Sequence, residues 1–152
     1  MEKEKKPKFV LDFWRDMTTL GGAAFYSIVT LTTLVLSQIP LFLKLVFGFI
    51  FTGAIVVIIR KIYFKNRPDK QEYHNQIEKI DAASFPSWHA ARITYLALIF
   101  TTFFTNTILS LIFILITLIT IYSRIYLRKH DWMDVVGGFA LGLIAFGISV
   151  YV

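Results

Sequence analysis

Long apolar runs separated by short polar segments occupy most of this chain. No charged residue occurs from Met17 to Leu43, and Pro40 marks a break within that run. A membrane-spanning helix needs about 20 predominantly apolar residues. The pattern therefore predicts an all-α, polytopic membrane helical bundle with about five spanning helices. Their expected ranges are 17–37, 41–60, 86–104, a fourth span that follows a tight turn at 105–107 and ends near 123, and 130–152.

The first 16 residues have a different pattern, in which four lysines and Arg15 flank a cluster of aromatic and aliphatic side chains. No cleavage-like site separates them from the next apolar run, so a cleaved signal peptide is not expected. We predict an interfacial amphipathic helix with Trp14 at the level of the lipid headgroups. Residues 60–86 are rich in charge and are predicted to form an aqueous loop. The chain, 1–152, is interpreted as a single domain.

The composition agrees with a membrane protein. Of the 152 residues, 56% are hydrophobic and the mean hydropathy is +0.62, whereas soluble domains rarely exceed about half apolar residues. The chain has no cysteine, which excludes disulfides, thiolate nucleophiles and Cys-ligated zinc. The net charge of +6 is typical of basic loops beside anionic lipid. Nucleic acid is not an expected partner, because no soluble segment contains a basic helix or an aromatic-basic repeat.

Alternation of the spans brings polar residues from distant parts of the sequence to one face of the membrane. The predicted helix ends at Arg60, Pro86, Arg124 and His130 all lie on that face, whereas the opposite face has short turns and Lys44. We therefore expect one polar site at a membrane surface.

The segment Pro86-Ser87-Trp88-His89 is expected to begin the third span. Proline suits the first turn of a helix, and the free amides of the next residues lie at the positive end of the helix dipole, where anions bind. A helix cap formed by Ser84 or Ser87 is the alternative. The combination of proline, serine and histidine favours the anion site.

His130 and Asp134 are four residues apart and are expected to share a helix face. A carboxylate bonded to one imidazole nitrogen orients the ring and leaves the other nitrogen free to attack. Asp131 would point about 100° away and ranks lower. A membrane-boundary histidine capped by an aspartate is the alternative, which the neighbouring bases Arg124 and Arg128 disfavour.

Arginines are candidate phosphate ligands, because guanidinium groups bind phosphate oxygens in bidentate fashion. Arg60, Arg67 and Arg124 flank the predicted site. Arg92 lies within an apolar run, where a charge costs roughly 2.5–3.5 kcal/mol unless it faces a polar interior. We expect it to face the site and meet a second phosphate group, with snorkelling to the interface as the alternative. The other bases near the site are interpreted as lipid-headgroup anchors or orientation signals: Lys61, Lys65, Lys70, Lys79, Arg128 and Lys129.

These residues resemble the motifs of the type 2 phosphatidic acid phosphatase superfamily of membrane phosphatases. The third motif of that family is Ser-Arg, five residues, His, three residues, Asp. It matches completely at Ser123, Arg124, His130 and Asp134. The resemblance covers nearly the whole chain. The family usually has six helices, and we expect the first of them to have no counterpart here.

The other two motifs match with one departure each. The second, Pro-Ser-Gly-His, matches at 86–89 with Trp88 in place of glycine. Glycine allows backbone to approach phosphate closely, so the indole needs space of its own, which we expect along the lipid chain. The first motif, a base, six residues and Arg-Pro, matches at 60–68, with Arg60 where the family usually has lysine.

The resemblance implies roles for these residues in a phosphatase that needs no metal and no cofactor, since the bases neutralise the phosphate charge. His130 would attack phosphorus and form a phosphohistidine, Asp134 would orient it, and His89 would protonate the leaving oxygen. The phosphoryl group would be bound by Arg60, Arg67, Ser87, Arg124 and the backbone amides near Trp88.

We therefore expect a phosphatase acting on a lipid phosphate or diphosphate, with polyprenyl diphosphates and phosphatidate-type lipids as the leading substrates. Membrane lipids are its other expected partners, and the sequence contains no signal for an oligomeric state. A non-catalytic lipid-phosphate binder or flippase-like protein is the alternative, although binding alone needs no orienting carboxylate. An ion or proton carrier is a weaker alternative, because only Arg92 lies clearly within a predicted span.

The resemblance also implies a location in the plasma membrane with the site on the extracytoplasmic face. The positive-inside rule favours the opposite orientation, because Lys44 is the only base on the far side among 16 lysines and arginines. Bases that belong to the site add to this count without indicating the orientation. We expect the extracytoplasmic orientation.

Overall fold

The computed structural model describes residues 7–151 and is helical almost throughout. An isolated bridge between Asn66 and Ala83 is the only β pairing among these residues. The helices of the described part are α1 (Lys8–Thr19), α2 (Ala23–Val35), α3 (Ile39–Ile62), α4 (Gln76–Ala82), α5 (Trp88–Phe104), α6 (Thr107–Tyr126) and α7 (Trp132–Ser149).

The first predicted span, 17–37, is two helices in the structure. The chain breaks at Gly21 and Gly22, and the axes of α1 and α2 differ by 44°. The first of them, α1, packs on α6, where the ring of Trp14 lies 5.2 Å from that of Tyr122 and 5.1 Å from that of Tyr126. The predicted interfacial helix over 1–16 falls partly on residues 1–6, which lie outside the described residues.

Three helices of the described chain are long and apolar enough to cross a membrane, namely α3, α6 and α7, and the bent pair of α1 and α2 makes a fourth if it is one span. The all-α membrane bundle is thus confirmed, whereas the count of five spans is not reached. The remaining helix, α5, has only 17 residues and includes the buried Arg92. It packs against α2, α3, α6 and α7, so its polar side chain faces protein rather than lipid.

Side-chain caps set the helix boundaries near the predicted site. Asp131 caps α7 by accepting a hydrogen bond from the amide of Asp134, and the Asp134 carboxylate accepts one from the amide of Asp131. This reciprocal cap starts the helix at Trp132. His130 therefore precedes the helix, and the prediction that it shares a helix face with Asp134 is wrong. Similarly, α5 begins after its cap, Ser87, rather than at residue 86.

Four helix ends meet at one end of the bundle, as the alternating spans predict. Arg60, near the end of α3, donates a hydrogen bond of 3.2 Å to the carbonyl of Pro86. The amide of Ser87 donates one of 2.9 Å to the carbonyl of Asp134. The main apolar core lies deeper, towards the other end of the bundle: Tyr26, Leu41, Leu45, Ile93, Tyr95, Leu96, Ile99 and Ala145.

Candidate active site

His130 and Asp134 lie side by side where α7 begins. The Nδ1 atom of His130 is 3.5 Å from Oδ2 of Asp134, and the two side chains are 2% and 0% exposed. This separation is longer than an ordinary hydrogen bond, and Nδ1 has no hydrogen-bond partner among the described residues. With Nδ1 directed at the carboxylate, Nε2 is the nitrogen that remains free to react. The predicted pair is therefore present, although a turn rather than a helix face positions it.

The imidazole of His130 is neutral at neutral pH. Burial lowers its pKa to about 4; Arg124 and Arg67 act in the same direction, and the neighbouring Asp134 carboxylate opposes them. A neutral imidazole has the free electron pair that a nucleophile requires.

Lys65 is a member of this site that the sequence interpretation missed. Its Nζ atom donates to Oδ1 of Asp134 at 2.8 Å and to Oδ2 of Asp131 at 2.6 Å. The interpretation of Lys65 as a lipid-headgroup anchor is therefore wrong. Its one local signal is its place two residues before Arg67, between the two bases of the first motif. Nothing in the sequence links it to Asp134.

Three predicted phosphate ligands gather around the histidines, and each is held by the protein through its terminal nitrogens. In each, the Nε atom is buried and has no hydrogen-bond partner in the described part of the chain. The holding contacts run from Arg60 to the carbonyls of Ile80 and Pro86 (3.2 Å each), from Arg67 to the side chain of Gln71 (2.8 Å) and the carbonyl of Asp81, and from Arg124 to the hydroxyl of Thr18 (2.7 Å).

The site concentrates positive charge. Arg124 lies within electrostatic range of Arg60 and Arg67, and His89 lies within range of Arg124, Arg67 and His130. Like charges at this spacing repel each other, and a bound anion relieves the repulsion. Among residues 7–151, no group of three or more histidine, aspartate or glutamate side chains is arranged to hold a metal ion.

The start of α5 supplies backbone donors to the same place. Ser87 is fully buried and caps the helix, accepting a hydrogen bond of 3.4 Å from the amide of Ala90. Its own amide is bonded to the carbonyl of Asp134, so the prediction of a free amide at Ser87 is wrong. The amides of Trp88 and His89 belong to the first turn, where helical amides have no acceptor within the helix.

The side chain of Trp88 leaves the helix end and packs between α3 and α5. Its Nε1 atom donates to the hydroxyl of Thr52 at 3.2 Å, and its ring covers the guanidinium of Arg92 at 4.4 Å. Gly53 provides the space, because a Cβ atom there would lie 2.7 Å from Cζ2 of the indole. Arg92 is 3% exposed and also lies 5.9 Å from the ring of Phe49. It therefore does not snorkel.

Residues 41–152 match the family model of the PAP2 superfamily, the family that the three motifs indicate. This chain belongs to the PAP2 superfamily. It is a phosphatase and an integral membrane protein, as expected. No curated protein matches the chain in sequence.

Two solved structures have the same PAP2 fold. Aquifex aeolicus LpxE superposes with a TM-score of 0.79 at 17% identity, over 97% of this chain and 88% of that chain. A transmembrane PAP2 type phosphatidylglycerolphosphate phosphatase from Bacillus subtilis superposes with a TM-score of 0.74 at 21% identity, over 96% of this chain and 77% of that chain.

Proposed function

We propose that this PAP2 phosphatase hydrolyses a lipid phosphate or diphosphate without a metal, through a phosphohistidine on His130. The observation that carries the proposal is the buried pair of His130 and Asp134, 3.5 Å apart, beside arginines with unpartnered Nε atoms. Arginines alone would serve a protein that only binds phosphate. An imidazole that is held neutral and oriented by a carboxylate serves a nucleophile.

In the proposed reaction, Nε2 of His130 attacks phosphorus, and the P–N bond forms as the P–O bond to the lipid breaks. Burial and the neighbouring cations lower the pKa of His89, and the negative charge of the bound phosphate opposes them, so that His89 takes up a proton in the complex and gives it to the departing oxygen. It then takes a proton from the water that cleaves the P–N bond, which releases phosphate and restores His130. Asp134 stays ionised and stabilises the positive charge on the imidazole. Proton transfer by a group such as His89 is worth roughly 10²–10⁴ in rate.

The transferred phosphoryl group is bound by guanidinium groups and by the helix end. The unpartnered Nε atoms of the arginines and the first-turn amides of Trp88 and His89 supply the donors. We place Arg92 beneath them, where it attracts a second phosphate group. The full set of phosphate-binding residues in this proposal is Arg60, Arg67, Ser87, Trp88, Arg92 and Arg124.

A cavity beneath the site supports a lipid substrate. This apolar space of about 260 Å³ lies between α2, α5 and α6. Its lining includes Ile93, one turn below His89 on the same face of α5, and Thr117, about two turns from Arg124 on α6. The hydroxyl of Thr117 is already bonded to a backbone carbonyl at 2.8 Å. A lipid with its phosphate at the site can therefore place a hydrocarbon chain here, which fits polyprenyl diphosphates and phosphatidate-type lipids.

The test is phosphate release by the purified protein in detergent with EDTA present. The substrates are polyprenyl diphosphates, phosphatidate and phosphatidylglycerophosphate, and His130→Ala is compared with His74→Ala. His74 is exposed in the loop before α4, so its loss tests the effect of removing any histidine. We expect EDTA-resistant release by the wild type and by His74→Ala, and less than about one-thousandth of it in His130→Ala. An acid-labile phosphoprotein should form only while His130 is present.

Three results would contradict the proposal. Release that EDTA abolishes would exclude the metal-free route. Equal activity in His130→Ala and the wild type would exclude this nucleophile. A folded protein that binds the lipids and releases no phosphate would be a non-catalytic binder.

A further inference from the structure

Lys65 contacts the carboxylate of Asp134 on the side opposite to the imidazole of His130. Its Nζ atom lies 2.8 Å from Oδ1 of Asp134 and 2.6 Å from Oδ2 of Asp131. The lysine side chain is 20% exposed, whereas that of Asp134 is 0% exposed. Exposed ion pairs contribute little, but a buried carboxylate that loses its partner is left with an uncompensated charge. The contact to Asp134 involves such a buried carboxylate, so its loss would leave an uncompensated charge.

The two oxygens of Asp134 have different partners. Oδ1 accepts from Lys65 and, at 3.3 Å, from the hydroxyl of Ser84. Oδ2 accepts from the amide of Asp131 at 3.1 Å and faces Nδ1 of His130. With Oδ1 held on one side, the carboxylate cannot rotate, and Oδ2 stays directed at the imidazole.

We propose that Lys65 is a positioning residue for the nucleophile, which acts through Asp134 to orient His130. This inference rests on the proposed function. Lys65 does not touch the substrate. It belongs to the loop that also carries Arg67, so the same contact fixes a phosphate-binding loop to the start of α7.

The charges around His130 decide the direction of the effect. Burial alone lowers the pKa of Lys65, but its hydrogen bonds to Asp131 and Asp134 raise it above the ordinary value, so the lysine stays charged. Its positive charge offsets the carboxylates, which favour a protonated imidazole. The titratable and charged groups that face the pair from the neighbouring elements are Lys65, Arg60, Arg67, His89, Arg124 and Asp131.

The sign of the pH effect follows from these charges. With Lys65 present, the pKa of His130 is about 4, so the imidazole stays neutral down to that pH. Without Lys65, Asp134 and Asp131 stabilise the imidazolium more strongly, and the pKa of His130 rises. The fraction of neutral nucleophile then falls at a higher pH than in the wild type.

The experiment compares Lys65→Met and Lys65→Arg with Lys70→Met, which removes an exposed lysine from the same loop. The substrate is dioctanoyl phosphatidate in detergent. We expect Lys65→Met to lower kcat roughly 10–100-fold, by analogy with the outer partners of metal-binding histidines, while KM changes little. The acid limb of kcat/KM should move up by about one pH unit. Lys65→Arg should restore most of kcat, and Lys70→Met should match the wild type.

A second measurement does not depend on turnover. The chain has only 3 histidines, so NMR of the protein labelled in histidine resolves the titration of His130 directly. Its midpoint should rise by about one unit in Lys65→Met and stay near the wild-type value in Lys65→Arg. In an Asp134→Asn background, where the pKa of His130 has already lost the upward effect of the carboxylate, Lys65→Met should produce a much smaller rise than in the wild type.

The outcomes separate this inference from the proposed function. If the wild type releases no phosphate, the proposed function is contradicted. The His130 titration then still tests the positioning role of Lys65. An unmoved titration, or a Lys65→Met enzyme with wild-type kcat, overturns the positioning role. If Lys65→Met does not fold, Lys65→Gln takes its place, because it keeps a hydrogen-bond donor to Asp134 and removes the charge; an unmoved His130 titration and a wild-type kcat in that variant would overturn the inference.

Discussion

Trp88 stands where the PAP2 motif has glycine, yet its backbone still offers an amide to the site. The side chain is accommodated because three neighbours receive it: Thr52 accepts the indole N–H, Gly53 leaves space for the ring, and Arg92 lies against its face. A guanidinium over an aromatic ring is stabilised further when water is excluded. The tryptophan therefore supports a buried cation rather than closing the phosphate site.

Replacing Trp88 with glycine should have two effects. Loss of the indole leaves a cavity, for which we expect a cost of about 3–5 kcal/mol and a lower melting temperature. The vacated space also uncovers Arg92, so hydrolysis of diphosphate lipids should increase relative to monophosphate lipids. Thermal unfolding and the substrate panel measure these effects, with Trp88→Phe as the control that keeps a ring over Arg92. An unchanged substrate ratio in Trp88→Gly would argue against a second-phosphate role for Arg92.

Motif spacing predicted most of the candidate site at this scale. The arginines and the pair of His130 and Asp134 were found because each motif places its residues within a few positions of one another. Lys65 was missed because its ion pair to Asp134 joins residues 69 positions apart. Asp131 was ranked low because a helix face was assumed where the structure has a cap. Contacts made through a cap or across the chain leave no periodic signal.

At the scale of helices, hydrophobic patterning located the apolar segments but not the points where they begin. The pattern from residue 130 onwards is apolar enough for a helix, yet the reciprocal cap formed by Asp131 and Asp134 sets the start at Trp132. Near the N-terminus, the uncharged run extends across Gly21 and Gly22, where the structure bends. Capping and backbone geometry, rather than hydrophobicity, decide these boundaries.

The approach of α5 to α7 can be tested with two glycines of the same helix. A Cβ atom on Gly138 would lie 2.2 Å from the carbonyl oxygen of Ser87, whereas Gly147 has nothing within 4 Å. Gly138→Ala should therefore displace the start of α5, with a loss of about 1–3 kcal/mol and a lower kcat, since His89 moves with it. Gly147→Ala should be neutral or stabilising by up to about 1 kcal/mol.

Thermal unfolding and phosphate release from both variants provide the comparison. Gly138 and Gly142 form the small-residue spacing that predicts close helix packing, and a Cβ atom on Gly142 would also clash, at 2.8 Å from the carbonyl of Ala91. If Gly138→Ala proved as stable and as active as Gly147→Ala, the tight contact between α5 and α7 would not position the site.

On the scale of the whole molecule, the two ends of the bundle are chemically different. One end contains the histidines, the arginines and the charged loop before α5, and the other has short turns. We propose that the polar end faces outward across the plasma membrane. The opposing argument from the positive-inside rule loses force, because Lys65 is paired with Asp134 and three of the arginines are proposed phosphate ligands rather than topology signals.

The absence of cysteine from the chain makes the orientation simple to measure. Glu72→Cys places a thiol in the exposed loop at the polar end, and Thr107→Cys places one at the start of α6 on the other side. In intact cells, a membrane-impermeant maleimide should label Glu72→Cys at once and Thr107→Cys only after the membrane is opened. The reverse labelling would place the site in the cytoplasm.

The short connection between α6 and α7 carries His130 and folds back on Arg124, in the last turn of α6. The amides of Lys129 and His130 donate to the carbonyl of Arg124 at 3.0 and 3.2 Å, which closes this segment into a compact loop. Helices adjust their tilt when the hydrocarbon thickness of the bilayer changes. Because these hydrogen bonds tie the proposed nucleophile to the turn of α6 that carries the proposed phosphate ligand, such tilting should move them together. The spacing between the bound phosphorus atom and the attacking nitrogen should therefore be the same in thin and thick membranes.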